Sequence, residues 1–404
     1  MKRHTFSSTG PALIIVMAGL SSCASPDPNL IDRIGDDGVR EVISTAPAPL
    51  PAPHQLREEM IIGVEYGEQG EMLRQPLDYT MLEDGTYVIL DGNPLQIRLY
   101  DHDGVFIREF GQAGQGPSDL RQHRPAQASG VKPIGDTGEF EVWAAWPVFR
   151  QRWNVPGEMI SATTMSEDHP FRNRRPNFHS RGEIMYALAM IGRPLREGTV
   201  ERDTFIITAD WSGSQHDTLM TFHTPQMPDN LGVFIEVTGF YPLNRILPTS
   251  TGRLYVTNVE DDWVRELDPA SGSELLRFRW EHTPDSFAGA RLESFRDGNL
   301  DEGINNGLAW YQERVSIMFI AEGPEGEIWV QRKQRFPRLG RVSVLTFPGE
   351  ESWSTDVFSP EGEYLGRMQL PYAPRYQKML QGQVHAIVLR DGGAPTLIRY
   401  RMLR

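Results

Sequence analysis

Three observations predict an all-β chain folded as a six-bladed β-propeller. Gly-centred turns recur between short runs of alternating or β-branched residues. The runs fall into six groups spaced by roughly 45 to 65 residues, the scale of a four-stranded blade. Gly 38 and Pro 30 supply turns, while Trp 9, Tyr 12 and Phe 18 supply one large core.

The first group is the clearest. Glu83-Asp84-Gly85 precedes Thr86 to Leu90, and Asp91-Gly92-Asn93-Pro94 precedes Gln96 to Tyr100. Asp101-His102-Asp103-Gly104 then leads into Val105 to Phe110. Asp-Gly between alternating runs marks a hairpin, because Gly takes φ > 0 at no steric cost. The second group carries Phe140 to Ala145 and Met159 to Thr163, the third Ile184 to Ala189 and Phe205 to Ala209. The fourth carries Arg253 to Asn258, Val264 to Leu267 and Leu275 to Trp280. Ile328 to Gln331 and Tyr364 to Gln369 form the fifth, Val384 to Leu389 and Leu397 to Arg401 the sixth. The sixth group is one strand short, and Met60 to Tyr66 is an orphan strand that would complete it and close the ring. Closure removes the exposed edges of an open array. A β-sandwich is the competing all-β fold, but it leaves the repeat unexplained.

Pro284 to Phe319 interrupts the pattern. Phe287, Leu292, Phe295, Leu300, Ile304, Leu308, Tyr311 and Val315 recur at spacings of mostly three to five. This predicts a helical insertion between blades four and five, either capping the channel mouth or forming a lid.

Tyr87-Val88-Ile89-Leu90-Asp91, with Asn93, Ile97, Tyr100-Asp101, Gly104 and Phe110-Gly111, resembles an NHL-type blade. Gly111-Gln112-Ala113-Gly114-Gln115-Gly116-Pro117 is similar to the Gly-rich loop of bacterial six-bladed β-propeller lipoproteins, of the NHL-like and TolB-like propeller superfamily. Ser118-Asp119 stand where that family usually has Gly-Glu. The resemblance covers about residues 57 to 404 and implies a fold, not an activity.

The start of the chain reads as an export signal. Lys2, Arg3 and His4 precede Pro11 to Leu20, about ten largely apolar residues, against roughly 20 needed to span a bilayer. Leu20-Ser21-Ser22-Cys23 resembles a lipobox, which makes Cys23 the lipid attachment point. An ordinary cleaved signal is the alternative, but Cys23 is the only cysteine of 404 residues and no disulfide competes for it. Ala24, rather than Asp, favours the outer membrane. The domains expected are a signal peptide at 1–22, a lipid-anchored tether at 23–56 and the propeller at 57–404. Pro26, Pro28, Pro47, Pro49, Pro51 and Pro53 suggest an extended spacer.

Loss of Lys2 and Arg3 takes the net charge from −14 to about −16, a poor prior for nucleic-acid binding. Propeller topology puts turns between strands 1–2 and 3–4 on one face. That face is acidic: Glu83, Asp84, Asp101, Glu158, Glu183, Glu325, Glu327, Glu361 and Glu363 lie there. The opposite face collects Arg, notably Arg150, Arg174, Arg332, Arg335 and Arg338. The guanidinium fork suits carboxylates and phosphates, so these five are the candidate contacts to an anionic ligand.

Little other chemistry is legible. The Gly-rich loop lacks the Lys-Ser/Thr of a phosphate loop. His123, His179, His216, His223, His282 and His385 form no His-x-x-x-His pair, and there is no Gly-x-Ser-x-Gly elbow. Metal-dependent lactonases also use six blades, but Asp91, Asn93, Asn258 and Asp391 read more simply as turn residues. No catalytic residue, metal ligand or cofactor is assigned. The expectation is a monomeric, noncatalytic propeller at the cell envelope, binding an unknown envelope protein or glycan. A metal-dependent hydrolase or lyase acting on sugars or lactones is the alternative. Cys23→Ser should move the protein from the detergent phase to the aqueous phase in Triton X-114 partitioning; unchanged detergent partitioning would refute lipidation at Cys23.

Overall fold

The computed structural model describes residues 29–46, 54–68, 70–92, 94–114, 119–121, 129–145, 148–164, 179–181, 184–194, 199–210, 216–228, 245–258, 261–281, 317–332, 353–372, 377–390 and 394–403. These residues are all-β. They begin with β1 (Leu30–Ile34), β2 (Arg40–Ser44) and β3 (Gln55–Ile62). Next come β4 (Pro76–Met81), β5 (Tyr87–Gly92), β6 (Leu95–Tyr100) and β7 (Phe106–Phe110), then the short pair β8 (Ala113–Gly114) and β9 (Leu120–Arg121). β10 (Ser129–Ile134), β11 (Glu139–Ala145), β12 (Val148–Asn154) and β13 (Met159–Thr164) follow. β14 (His179–Arg181), β15 (Ile184–Pro194), β16 (Thr199–Ala209) and β17 (His216–Pro228) are next. Then come β18 (Arg245–Pro248), β19 (Leu254–Thr257), β20 (Val264–Leu267) and β21 (Glu274–Trp280). The chain continues through β22 (Ile317–Glu322), β23 (Ile328–Arg332), β24 (Trp353–Phe358) and β25 (Tyr364–Leu370). It ends on β26 (Gln377–Leu380), β27 (Gln383–Leu389) and β28 (Pro395–Leu403).

β4–β7, β10–β13, β14–β17 and β22–β25 each form a four-stranded sheet in chain order. β18–β21 do the same within a six-stranded sheet, and β26–β28 take β3 as a fourth strand. The Asp-Gly signals work as local chemistry dictates. Gly85 has φ 87°, and Asp84 Oδ1 accepts the Thr86 amide at 2.9 Å. Asp101 Oδ1 accepts the amides of Asp103 and Val105 at 3.0 and 2.8 Å.

Apolar clusters join five neighbouring pairs of sheets among the described residues. Val88 and Ile97 pack with Val131, Phe140 and Trp153. Ile206 and Phe222 pack with Ile246 and Val256, Tyr255 and Phe278 with Ile328 and Phe358. Trp329 and Val357 pack with Val384, Ile398 and Tyr400. A further cluster links the last sheet to the first, through Met60, Ile62, Ile387 and Leu397 against Tyr79 and Tyr87.

Three expectations change. The orphan strand does pair with the C-terminal one, but it runs Gln55–Ile62, with Leu56 opposite Met402 and Ile62 opposite Leu397. Residues 30–44, read as part of an extended tether, are a hairpin whose β2 pairs in parallel with β21. Val42 is fully buried in the cluster around Phe278, Trp280 Nε1 donates to the Ala46 carbonyl at 2.9 Å, and Arg277 pairs with Asp37 and Glu41. The six prolines that suggested a spacer all lie outside the described residues; the folded stretch is proline-free. The expected helical insertion lies almost wholly outside the described residues too. Its last residues, Ile317 to Phe319, are strand, and there is no helix among the described residues.

The first sheet has a polar centre. Every residue of β6 is buried, Arg98 included. Arg98 meets Asp91, also buried, at 3.3 Å and donates to the Met72 carbonyl at 2.5 Å. Asp91 also accepts the amides of Arg74, Gln75 and Gly92. Removing the carboxylate would leave the Arg74 and Gln75 amides without this acceptor and the buried Arg98 with only the more distant carboxylate of Glu109, at 3.6 Å. Asp91→Ala should therefore cost about 3–5 kcal/mol, read as a lower midpoint in urea unfolding.

Candidate functional site

Two polar clusters sit where the closing strand β3 and the last sheet meet their neighbours. The first is built on His385, fully buried on β27. Its Nδ1 lies 3.1 Å from the Gln383 carbonyl. A carbonyl only accepts, so Nδ1 carries the proton and Nε2 accepts from the Tyr87 hydroxyl at 2.9 Å. Tyr79 donates to the His385 carbonyl at 2.7 Å, and Lys378 Nζ donates to the Tyr79 carbonyl at 2.9 Å. Arg399 adds a 3.5 Å contact to the Tyr87 oxygen. Burial is the main force on His385 and lowers its pKa to about 4, with the Arg399 charge adding to it. This assembly ties the last sheet to the first.

The second cluster joins β3 to the sheet before it. His54 immediately precedes β3, and Glu325 and Glu327 flank Gly326 in the turn between β22 and β23. His54 Nε2 lies 3.0 Å from Glu327 Oε1, both side chains buried. Glu327 Oε2 accepts the Glu325 amide at 2.8 Å. One donor atom from each of His54, Glu325 and Glu327 lies within 4.8 Å of the others. Sequence reading missed this set: Glu325-Gly326-Glu327 reads as a turn, and His54 stands beside prolines with no spacing that ties it to residues 273 positions away.

The arginine candidates are not brought together among the described residues. Arg150 is on β12, 3.5 Å from Glu141, whereas Arg332 ends β23 in another sheet. Arg174, Arg335, Arg338 and Cys23 lie outside the described residues. Many of the described arginines lean on carboxylates. Arg152 pairs with Glu139, Arg265 with Asp261, Arg279 with Asp262 at 3.2 Å and Arg367 with Asp356 at 2.8 Å. Of the lactonase-type positions, Asp91 is spent on Arg98 and backbone amides, Asn258 follows β19, and Asn93 and Asp391 are outside the described residues.

No protein-family model matches the chain, and no curated protein matches it in sequence. Among solved structures it is similar to a DUF4221 family member from Bacteroides vulgatus, with TM-score 0.57, 12% identity, and coverage of 87% of this chain and 99% of that one. It is also similar to the PQQ-bound aldose sugar dehydrogenase of Streptomyces coelicolor, with TM-score 0.43, 12% identity and coverage of 88% and 100%. Virginiamycin B lyase from Staphylococcus aureus gives TM-score 0.39, 10% identity and coverage of 87% and 100%. The first likeness shows a shared β-propeller-like fold and nothing of activity.

His385 makes stability depend on pH. Well above pH 6.5 the imidazole is neutral in both states. As pH falls, the unfolded chain takes up a proton that the folded chain refuses until about pH 4, so stability drops across that window by roughly 3 kcal/mol. His385→Gln should lose that part of the pH dependence in urea melts between pH 7 and 4; an unaltered slope would contradict it.

Proposed function

We propose that the chain is a six-bladed β-propeller, lipid-anchored through Cys23 at the outer membrane of the cell envelope, that binds an envelope protein or glycan without catalysis. The observation that carries the reading is the packing order of the sheets. Six sheets hold four chain-ordered or ring-completing strands each, and among the described residues clusters join five of the six neighbouring pairs of sheets, last to first included. The loops of such a ring emerge in two sets from a rigid base, the arrangement binding proteins use. The lipobox-like Leu20-Ser21-Ser22-Cys23 supports display at a membrane.

The anionic-ligand part of the reading rests on Arg150, Arg174, Arg332, Arg335 and Arg338. Because Arg150 already has Glu141 beside it, the group from Arg332 to Arg338 is the place to test. Wild-type protein coupled to resin should capture a specific component from detergent-solubilised envelope. The triple change of Arg332, Arg335 and Arg338 to Ala should weaken capture of acidic proteins and glycans at least tenfold. Equal capture by both, across every anionic glycan and protein tested, would end the anionic-ligand reading.

A further inference from the structure

We propose that His54, Glu325 and Glu327 form a divalent-cation site that latches the closing strand β3 to the neighbouring sheet. One imidazole nitrogen and two carboxylate oxygens, mutually within 4.8 Å, are a donor set suited to Zn²⁺ or Mn²⁺. Glu327 is 3% exposed and His54 7%. A neutral imidazole with two carboxylates carries two negative charges, which a divalent cation balances.

A second observation points to a ligand in the same place. Trp329 is 1% exposed, and its indole N–H has no hydrogen-bond partner. A Cβ built on Gly323 would sit 2.3 Å from that nitrogen and 2.6 Å from Glu327 Oε2. Glycine at 323 thus leaves room for the indole donor to approach the carboxylate. Three protein ligands leave coordination positions for water, and water bound there would accept the Trp329 N–H. A hydrogen-bonded His54–Glu327 pair alone leaves the indole donor unused.

The site's position gives it a role. His54 leads directly into β3, while both glutamates belong to the β22–β23 turn. A cation held by all three would cross-link the ring-completing strand to the adjacent sheet. It would bind the folded chain and not the unfolded one, raising stability by mass action.

The full-length protein, extracted in detergent and stripped with chelator, is dialysed against Zn²⁺, and separately Mn²⁺, and analysed for bound metal and for Tm. We expect one ion per chain and a higher Tm. Glu325→Gln, on an exposed turn position, should weaken binding at least tenfold while leaving the metal-free Tm unchanged. Glu83→Gln, on a turn of the first sheet, should bind as wild type. The proposal is overturned if neither ion is retained, if Glu325→Gln binds as tightly as wild type, or if Glu83→Gln loses as much.

Discussion

β28 is the last strand of the chain and β3 precedes the first four-stranded sheet, and their antiparallel pairing constrains everything between them. Leu56 faces Met402, Ile62 faces Leu397, and Met60 and Ile62 turn into the cluster with Tyr79 and Tyr87. β28 would otherwise present a row of unpaired amides and carbonyls at the sheet's outer side. The pairing also brings Gly104, in a turn of the first sheet, against Met60 and Ile62; a Cβ there would lie 3.0 and 3.1 Å from their side chains. The pairing of the chain ends is therefore bound to the packing of the first sheet, and the sheets between must fit the closure so set.

Legibility in the sequence follows the range of the forces involved. Asp84-Gly85 and Asp101 to Gly104 were readable because their hydrogen bonds span two to four residues. β3 was readable as a strand in want of a partner, though its bounds were set by Tyr400 to Leu403 and shifted towards Gln55. The hairpin at 30–44 was not readable, since Val42 finds Phe278 and Glu41 finds Arg277, over 230 positions away. Arg98 was equally hidden: an arginine on a strand reads as solvent-facing until Asp91 and the Met72 carbonyl enclose it. The cluster at His54 depends on the same long-range closure.

The preference for arginine over lysine has a partly structural explanation. Arg265 reaches both oxygens of Asp261 at 3.0 and 2.5 Å, and Arg40 both oxygens of Asp32 at 3.0 and 2.8 Å. Two parallel bonds need a planar fork, which lysine lacks. Arg277 goes further, spanning from the fourth sheet to Asp37 and Glu41 of the hairpin. Of these pairs only Arg40–Asp32 is exposed on both sides, and such a pair contributes about 0–1 kcal/mol, so its value lies in fixing register between strands rather than in raising stability.

The hairpin also sets a leash length. Thr45 donates to the Asn29 carbonyl at 2.7 Å, which closes the open end of the hairpin at Asn29. With acyl chains at Cys23, as proposed, six peptide steps separate bilayer from fold, at most roughly 20 Å when fully extended. A stalk of 30 or so residues would let a disc tumble freely above the headgroups. On that proposal a leash this short, entering at the β1–β2 edge of the fourth sheet, would limit tilt and hold that edge towards the membrane, so that access to each set of loops would depend on the angle at which the molecule stands.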